Sequence, residues 1–247
     1  MKISLMFAAV LAVFFAVPAR AFHPLTTEDT VFLGRDGRQV TGGVGYTSSE
    51  EGIDRYTAGA SARLYYGMLD NWDVMVTVPW EGWSSRGITE SGLGDVLLET
   101  KFQAGEAAGW LLALKPGFSL PAGSESKSIG AGKGGVWLYG LAGKTRKPWQ
   151  FYLNAGFTLN RNSVGERINL VGASAAAALK VMPKILAAAE LAAASSTDRD
   201  SLSHPITSGF SLVWSPYATL DVDAGIKLGL TRTAVSRALL AGITLRL

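Results

Sequence analysis

Few residues of this sequence have the types and spacing for covalent chemistry. The sharpest grouping is Ser201, Ser203 and His204, because a hydroxyl beside an imidazole is the pairing that activates a serine nucleophile. The same run, polar and placed just ahead of Pro205, also has the make-up of a solvated turn. A lipid-directed hydrolase using His204 and a nearby serine is therefore the alternative function, and its test is loss of phospholipid hydrolysis in His204→Ala. The other histidine is His23, and two histidines so far apart in a chain without cysteine lack zinc-ligand spacing, so no metal is expected. Residues Gly130, Ala131, Gly132, Lys133, Gly134 and Gly135 resemble a phosphate loop in composition only. Walker spacing and a following helix pattern are both missing, which leaves a flexible loop tip and no expected cofactor.

What remains is a set of charges that alternate with apolar residues. Trp149, Phe151, Leu153, Ala155, Phe157 and Leu159 interleave with Gln150, Tyr152, Asn154, Gly156, Thr158 and Asn160. Leu220, Val222, Ala224, Ile226 and Leu228 interleave with Asp221, Asp223, Gly225, Lys227 and Gly229, and Trp72, Val74, Val76, Val78 and Trp80 repeat the pattern. A helix would scatter these apolar residues around its circumference, whereas a strand puts them on one face. With the apolar face outward, the charges expected to line an interior are Arg63, Asp73, Asp95, Glu99, Lys101, Lys115, Lys180, Glu190, Asp221, Asp223, Lys227 and Arg246. Half are acidic and half basic, so they would pair with one another or hydrate a pore that favours neither ion sign.

The elements that position them are twelve predicted strands, near 38–47, 55–67, 72–82, 93–104, 110–120, 135–145, 149–160, 168–180, 184–195, 205–214, 218–230 and 236–247. Each has the length a tilted strand needs to cross a bilayer. Short turns at 69–71, 105–109, 146–148, 182–183 and 215–217 alternate with longer polar loops, as in an outer-membrane barrel with short periplasmic turns. Trp72, Trp80, Trp110, Trp149 and Trp214 fall near strand ends, where interfacial girdles need them, while Trp137 does not. Residues 171–194 are alanine-rich and by propensity favour helix. Two strands broken at Met182, Pro183 and Lys184 complete the even count, and the competing expectation is one helix kinked at Pro183 that packs on or inside the barrel. The fold class expected is all-β, a transmembrane antiparallel up-and-down β-barrel. Twelve strands about 4.8 Å apart and tilted about 40° give a backbone radius of about 12 Å, which side chains would cut to roughly half.

Composition agrees. The 247 residues are 48% hydrophobic, with a mean hydropathy of +0.21. Lys2, the apolar run Ile3 to Val17, and Ala19-Arg20-Ala21 read as a signal peptide over 1–21. No later stretch reaches about 18 consecutive apolar residues, so strands must do the crossing. Removing Lys2 and Arg20 from the net charge of +3 leaves about +1, which argues against nucleic acid as a partner. Residues 22–37 form an N-terminal periplasmic or plug segment, and 38–247 the barrel.

The chain resembles the meta-pathway phenol-degradation family of outer-membrane transporters. The resemblance lies in Phe22-His23-Pro24-Leu25-Thr26-Thr27-Glu28-Asp29-Thr30, in Gly92-Leu93-Gly94-Asp95-Val96 leading to Lys101-Phe102, and in Leu114 to Gly123. It implies an outer-membrane channel that passes small, aromatic or hydrophobic solutes by diffusion, with a structural or adhesion barrel as a further alternative. The partners expected are outer-membrane lipid, a small-molecule solute and, during insertion, the barrel-assembly machinery of a Gram-negative cell. The sequence ends on Leu239, Ala241, Ile243, Leu245 and Leu247, in the right alternation but without a terminal aromatic ring.

Overall fold

The computed structural model describes residues 24–49 and 55–247; the expected signal peptide lies outside them. Thirteen strands follow one another: β1 (Arg38–Ser49), β2 (Arg55–Leu69), β3 (Trp72–Ser85), β4 (Ile88–Leu93), β5 (Val96–Ala107), β6 (Trp110–Leu120), β7 (Val136–Arg146), β8 (Trp149–Leu159), β9 (Asn169–Met182), β10 (Ile185–Ala194), β11 (Ile206–Tyr217), β12 (Leu220–Gly229) and β13 (Arg237–Arg246). Every pairing is antiparallel, between chain neighbours except for β3 with β5 and for β1 with β13, the latter from Gln39 opposite Arg246 to Ser48 opposite Arg237. Both β4 and β5 pair with β3, so they are two halves of one wall strand interrupted at Gly94 and Asp95. The circuit is thus a closed twelve-strand barrel, which leaves no open sheet edge to be satisfied in lipid.

Burial is inverted relative to a water-soluble sheet. Along β8, Trp149, Leu153 and Phe157 are 43%, 47% and 45% exposed, while Gln150, Tyr152 and Asn154 are buried. The apolar residues therefore face outward, where only lipid makes them stable, and the polar ones face the lumen. Tyr46 stacks on Tyr56 near the long-loop end of β1 and β2, and Trp149 stacks on Phe151 at the short-turn end of β8. These rings lie where two interfacial belts are needed.

One local difference from the sequence reading and one agreement with it have physical causes. The alternation stops near Gly82, yet β3 runs on to Ser85 and pairs with β4 through Ser85 opposite Ile88. This hairpin rises past the apolar belt, so it needs no greasy face and carries no lipid-facing pattern. The alanine-rich region folds as β9 and β10 around a tight turn at Pro183–Lys184. Its inward alanines, Ala176, Ala178 and Ala188, pack with Tyr152 and Leu186 in a small core. Pairing on both sides and this packing override the helical propensity. Among the described residues the helical content is one 3₁₀ turn, Glu125–Lys127.

Candidate functional site: the barrel lumen

Residues 24–37, ahead of β1, run through the lumen and are gripped in turn by seven wall strands. Glu190 on β10 accepts the Thr26 and Thr27 amides at 2.9 and 2.8 Å and the Thr27 hydroxyl at 2.8 Å. Lys227 on β12 donates to the Thr26 hydroxyl at 2.6 Å and lies 3.6 Å from Glu190. On the opposite wall, the Glu28 carboxylate meets Lys115 of β6 at 2.6 Å and Arg63 of β2 at 3.2 Å. Asn154 of β8, with its amide oriented from its surroundings, accepts the Glu28 N–H at 2.6 Å and donates to the Glu28 carbonyl at 3.1 Å. Lys101 of β5 donates to the Val31 carbonyl at 2.6 Å and pairs with Asp29, and both oxygens of Asp73 on β3 accept the Leu33 amide. The segment leaves the lumen by the β2–β3 turn, where Asp36 and Gly37 exchange backbone hydrogen bonds with Gly67.

The wall is carved to take this segment. A Cβ at Gly143 would overlap the Thr30 hydroxyl, one at Gly67 would overlap the Gly34 carbonyl, and one at Gly225 would come within 2.5 Å of Pro24 Cγ. Any larger side chain at these three positions would push the segment away. The hydrogen bonds to its backbone also satisfy amides that would otherwise be stranded at membrane depth.

Charge binds the segment to the wall as a network. Lys115 bridges Glu28 and, at 2.8 Å, Glu99, while Arg63 holds Thr77 at 2.7 Å and lies 3.9 Å from Glu99. Burial alone would push the Glu28 carboxyl up, but Lys115, Arg63 and Lys101 together pull it down to about 2. Glu28 and Asp29 were not among the residues singled out from strand phase, since no periodicity marks a non-strand segment. Their signal was the family resemblance at Thr26-Thr27-Glu28-Asp29-Thr30.

Of the twelve charges read from strand phase, the structure brings Arg63, Asp73, Glu99, Lys101, Lys115, Glu190 and Lys227 together around the segment. Asp221 and Arg246 pair at 2.6 Å near the short-turn end, with Ser215 donating to Asp221, and Asp223 is buried beside them on β12. Lys180 is exposed at the short-turn end of β9. Asp95 sits at the β4–β5 break and fastens the long 121–135 loop by accepting the Gly123 and Ala131 amides, each at 2.9 Å.

Between the segment and the wall lies a cavity of about 610 Å³. Arg38, Gln39, Thr41 and Arg246 line it toward the short-turn end, and Trp137, Tyr139, Ala194 and Pro205 toward the long-loop end. The Ser201–His204 region is in the loop before β11. There His204 Nδ1 accepts the Ser196 amide at 3.3 Å and Ser201 donates to the Ser203 carbonyl at 2.9 Å. Among the described residues no hydrogen bond joins His204 to a serine hydroxyl, so the geometry of an activated nucleophile is not assembled.

Comparison with known proteins places this lumen in context. The family described as "Putative MetA-pathway of phenol degradation" matches residues 24–247. No curated protein matches the sequence at a significant level. Among solved structures, the COG4313 outer membrane channel from Pseudomonas putida F1 superposes with a TM-score of 0.73 at 15% identity, covering 90% of this chain and 100% of that one. The β-domain of the Bordetella autotransporter BrkA gives 0.54 at 13% identity over 85% of this chain and 98% of that one. A KdgM porin in complex with disordered oligogalacturonate gives 0.52 at 7% identity over 82% and 98%. At such identities the likeness is one of fold, and the fold is that of an outer-membrane barrel.

Proposed function

The chain belongs to that phenol-degradation family, and from this membership we propose that it is an outer-membrane channel through which small solutes with an aromatic or otherwise hydrophobic body, charged at one end or not, diffuse. The observation that carries the reading is the 610 Å³ cavity inside a closed barrel, reached by side chains from both ends of the strands. In this reading the wall charges from Arg63 to Arg246 line the passage, and residues 24–37 are a plug that narrows it. The plug is attached by hydrogen bonds and ion pairs rather than by strand pairing, so it can leave without opening the sheet.

Diffusion needs no bound cofactor and no covalent step, and a lining of paired charges hydrates the passage without a strong preference for either ion sign. Transport of an aromatic carboxylate, which the bilayer itself excludes, into proteoliposomes tests the proposal. Uptake above that of protein-free vesicles is expected, and greater uptake when residues 22–36 are deleted. No uptake with either protein would leave a barrel without transport function.

A further inference from the structure

Two aromatic side chains in the outer half of the lumen are seated in an unusual way. Trp137 and Tyr139 point inward from β7 at alternate positions. Each ring lies on a glycine of the neighbouring strand. A Cβ on Gly117 of β6 would overlap the Trp137 indole, and one on Gly156 of β8 would come within 2.5 Å of Tyr139 Cγ and Cδ1. The Tyr139 hydroxyl reaches over Gly156 to Gly172 of β9. These notches let the rings lie along the wall instead of standing across the lumen. One surface of each ring rests on backbone, and both residues border the cavity. Along the same wall, Gly172 and Ser174 of β9 and Ala192 of β10 also line the cavity, and these small groups leave room for a guest beside the rings.

Resting on the channel reading above, we propose that Trp137 and Tyr139 form a stacking subsite that selects planar aromatic rings over saturated rings of the same size. Flat aromatic surfaces attract a second ring in offset or edge-to-face geometry beyond what apolar area alone provides. A saturated ring fills the same volume without that gain. The backbone seat holds the platform rigid, so little side-chain freedom is lost when the guest binds. Tyr139 adds a hydroxyl that makes no hydrogen bond among the described residues and can meet a polar substituent on the guest.

The test compares benzoate with cyclohexanecarboxylate, matched in charge and ring size, by ligand-observed NMR titration of the whole protein in detergent. Benzoate should bind roughly 3- to 10-fold more tightly, the preference an aromatic pair typically supplies. Trp137→Leu and Tyr139→Leu should each erode that ratio toward one, while Trp137→Phe keeps most of it and Trp149→Leu on the lipid face leaves it unchanged. Retained heat-modifiable gel mobility certifies that each variant folds. Equal affinities in the parent protein, no binding of either anion, or a ratio indifferent to Trp137→Leu overturns the subsite. Vesicle uptake of both anions at equal rates would then still stand for the channel, so the two ideas fail separately.

Discussion

Replacing Glu28 with glutamine tests the attachment of the N-terminal segment at its most connected point. The change keeps the shape but removes the charge that Lys115 and Arg63 share, leaving both cations to face Glu99 alone. Deleting one member of a buried ion pair costs about 3–5 kcal/mol. Here the side chains of Glu28 and Arg63 are 24% and 29% exposed against 9% for Lys115, so screening reduces the cost to about 2 kcal/mol. At about 1.4 kcal/mol per factor of ten, the balance between docked and released segment shifts roughly 30-fold. Single-channel recording in planar bilayers reads this as the fraction of time in the conducting state, with deletion of residues 22–36 defining the fully open level. An open fraction in Glu28→Gln within about twofold of the parent, with the deletion variant wide open, would refute the reasoning.

The remaining predictions probe other contacts. Because the docked Glu28 carboxyl is pulled below its ordinary 4.5 to about 2, its contribution is complete above the ordinary value and lost only as pH falls toward the depressed one. The Glu28-dependent difference in open fraction between parent and Glu28→Gln should therefore be the same at pH 8 and pH 5, and a fall over that interval would contradict it. Gly143→Val, which fills the space of the Thr30 hydroxyl, should raise the open fraction without touching a charge. Asp95→Ala removes the acceptor of two loop amides, worth about 1.5–3 kcal/mol each; it should speed limited proteolysis within 121–135 while the barrel still resists unfolding in detergent. Leu153→Arg, at mid-strand on the outer face, should cost about 2–4 kcal/mol and impair folding into vesicles, whereas Ser174→Arg on the lumen side should fold.

Legibility followed the solvent on each side of the wall. Trp149 to Leu159 was readable almost to the residue because lipid and lumen impose opposite chemistry on successive positions. The β3–β4 hairpin was read as loop because above the membrane Ser84, Ser85 and Glu90 have water on both faces and no alternation is imposed. Phase gave the inward direction of Lys115 and Glu190, but their partners Glu28 and Thr27 are 87 and 163 residues away. Those partners sit in a segment shaped by the wall rather than by its own pattern. The notches at Gly143 and Gly117 were equally silent, since a glycine in a strand looks alike whether it faces a ring, a hydroxyl or empty space. Trp137, which did not fit an interfacial girdle, faces the lumen, and its position is explained by the glycine beneath it.

The most direct test of an obstructed lumen is a disulfide between segment and wall, in a protein that has no cysteine of its own. The Thr30 hydroxyl occupies the space of a Gly143 Cβ, which puts the two Cβ positions no more than about 3.5 Å apart, the short end of what a disulfide spans, and the bond would hold a segment that an unbonded side chain at 143 displaces. The double variant Thr30→Cys, Gly143→Cys should cross-link on mild oxidation, close the channel, and reopen when reduced. Thiols that stay free under oxidation, together with rapid reaction of the single variant Thr30→Cys, in which Gly143 is intact, with a water-soluble maleimide at a position that is buried when the segment is docked, would mean that the segment does not lie in the barrel.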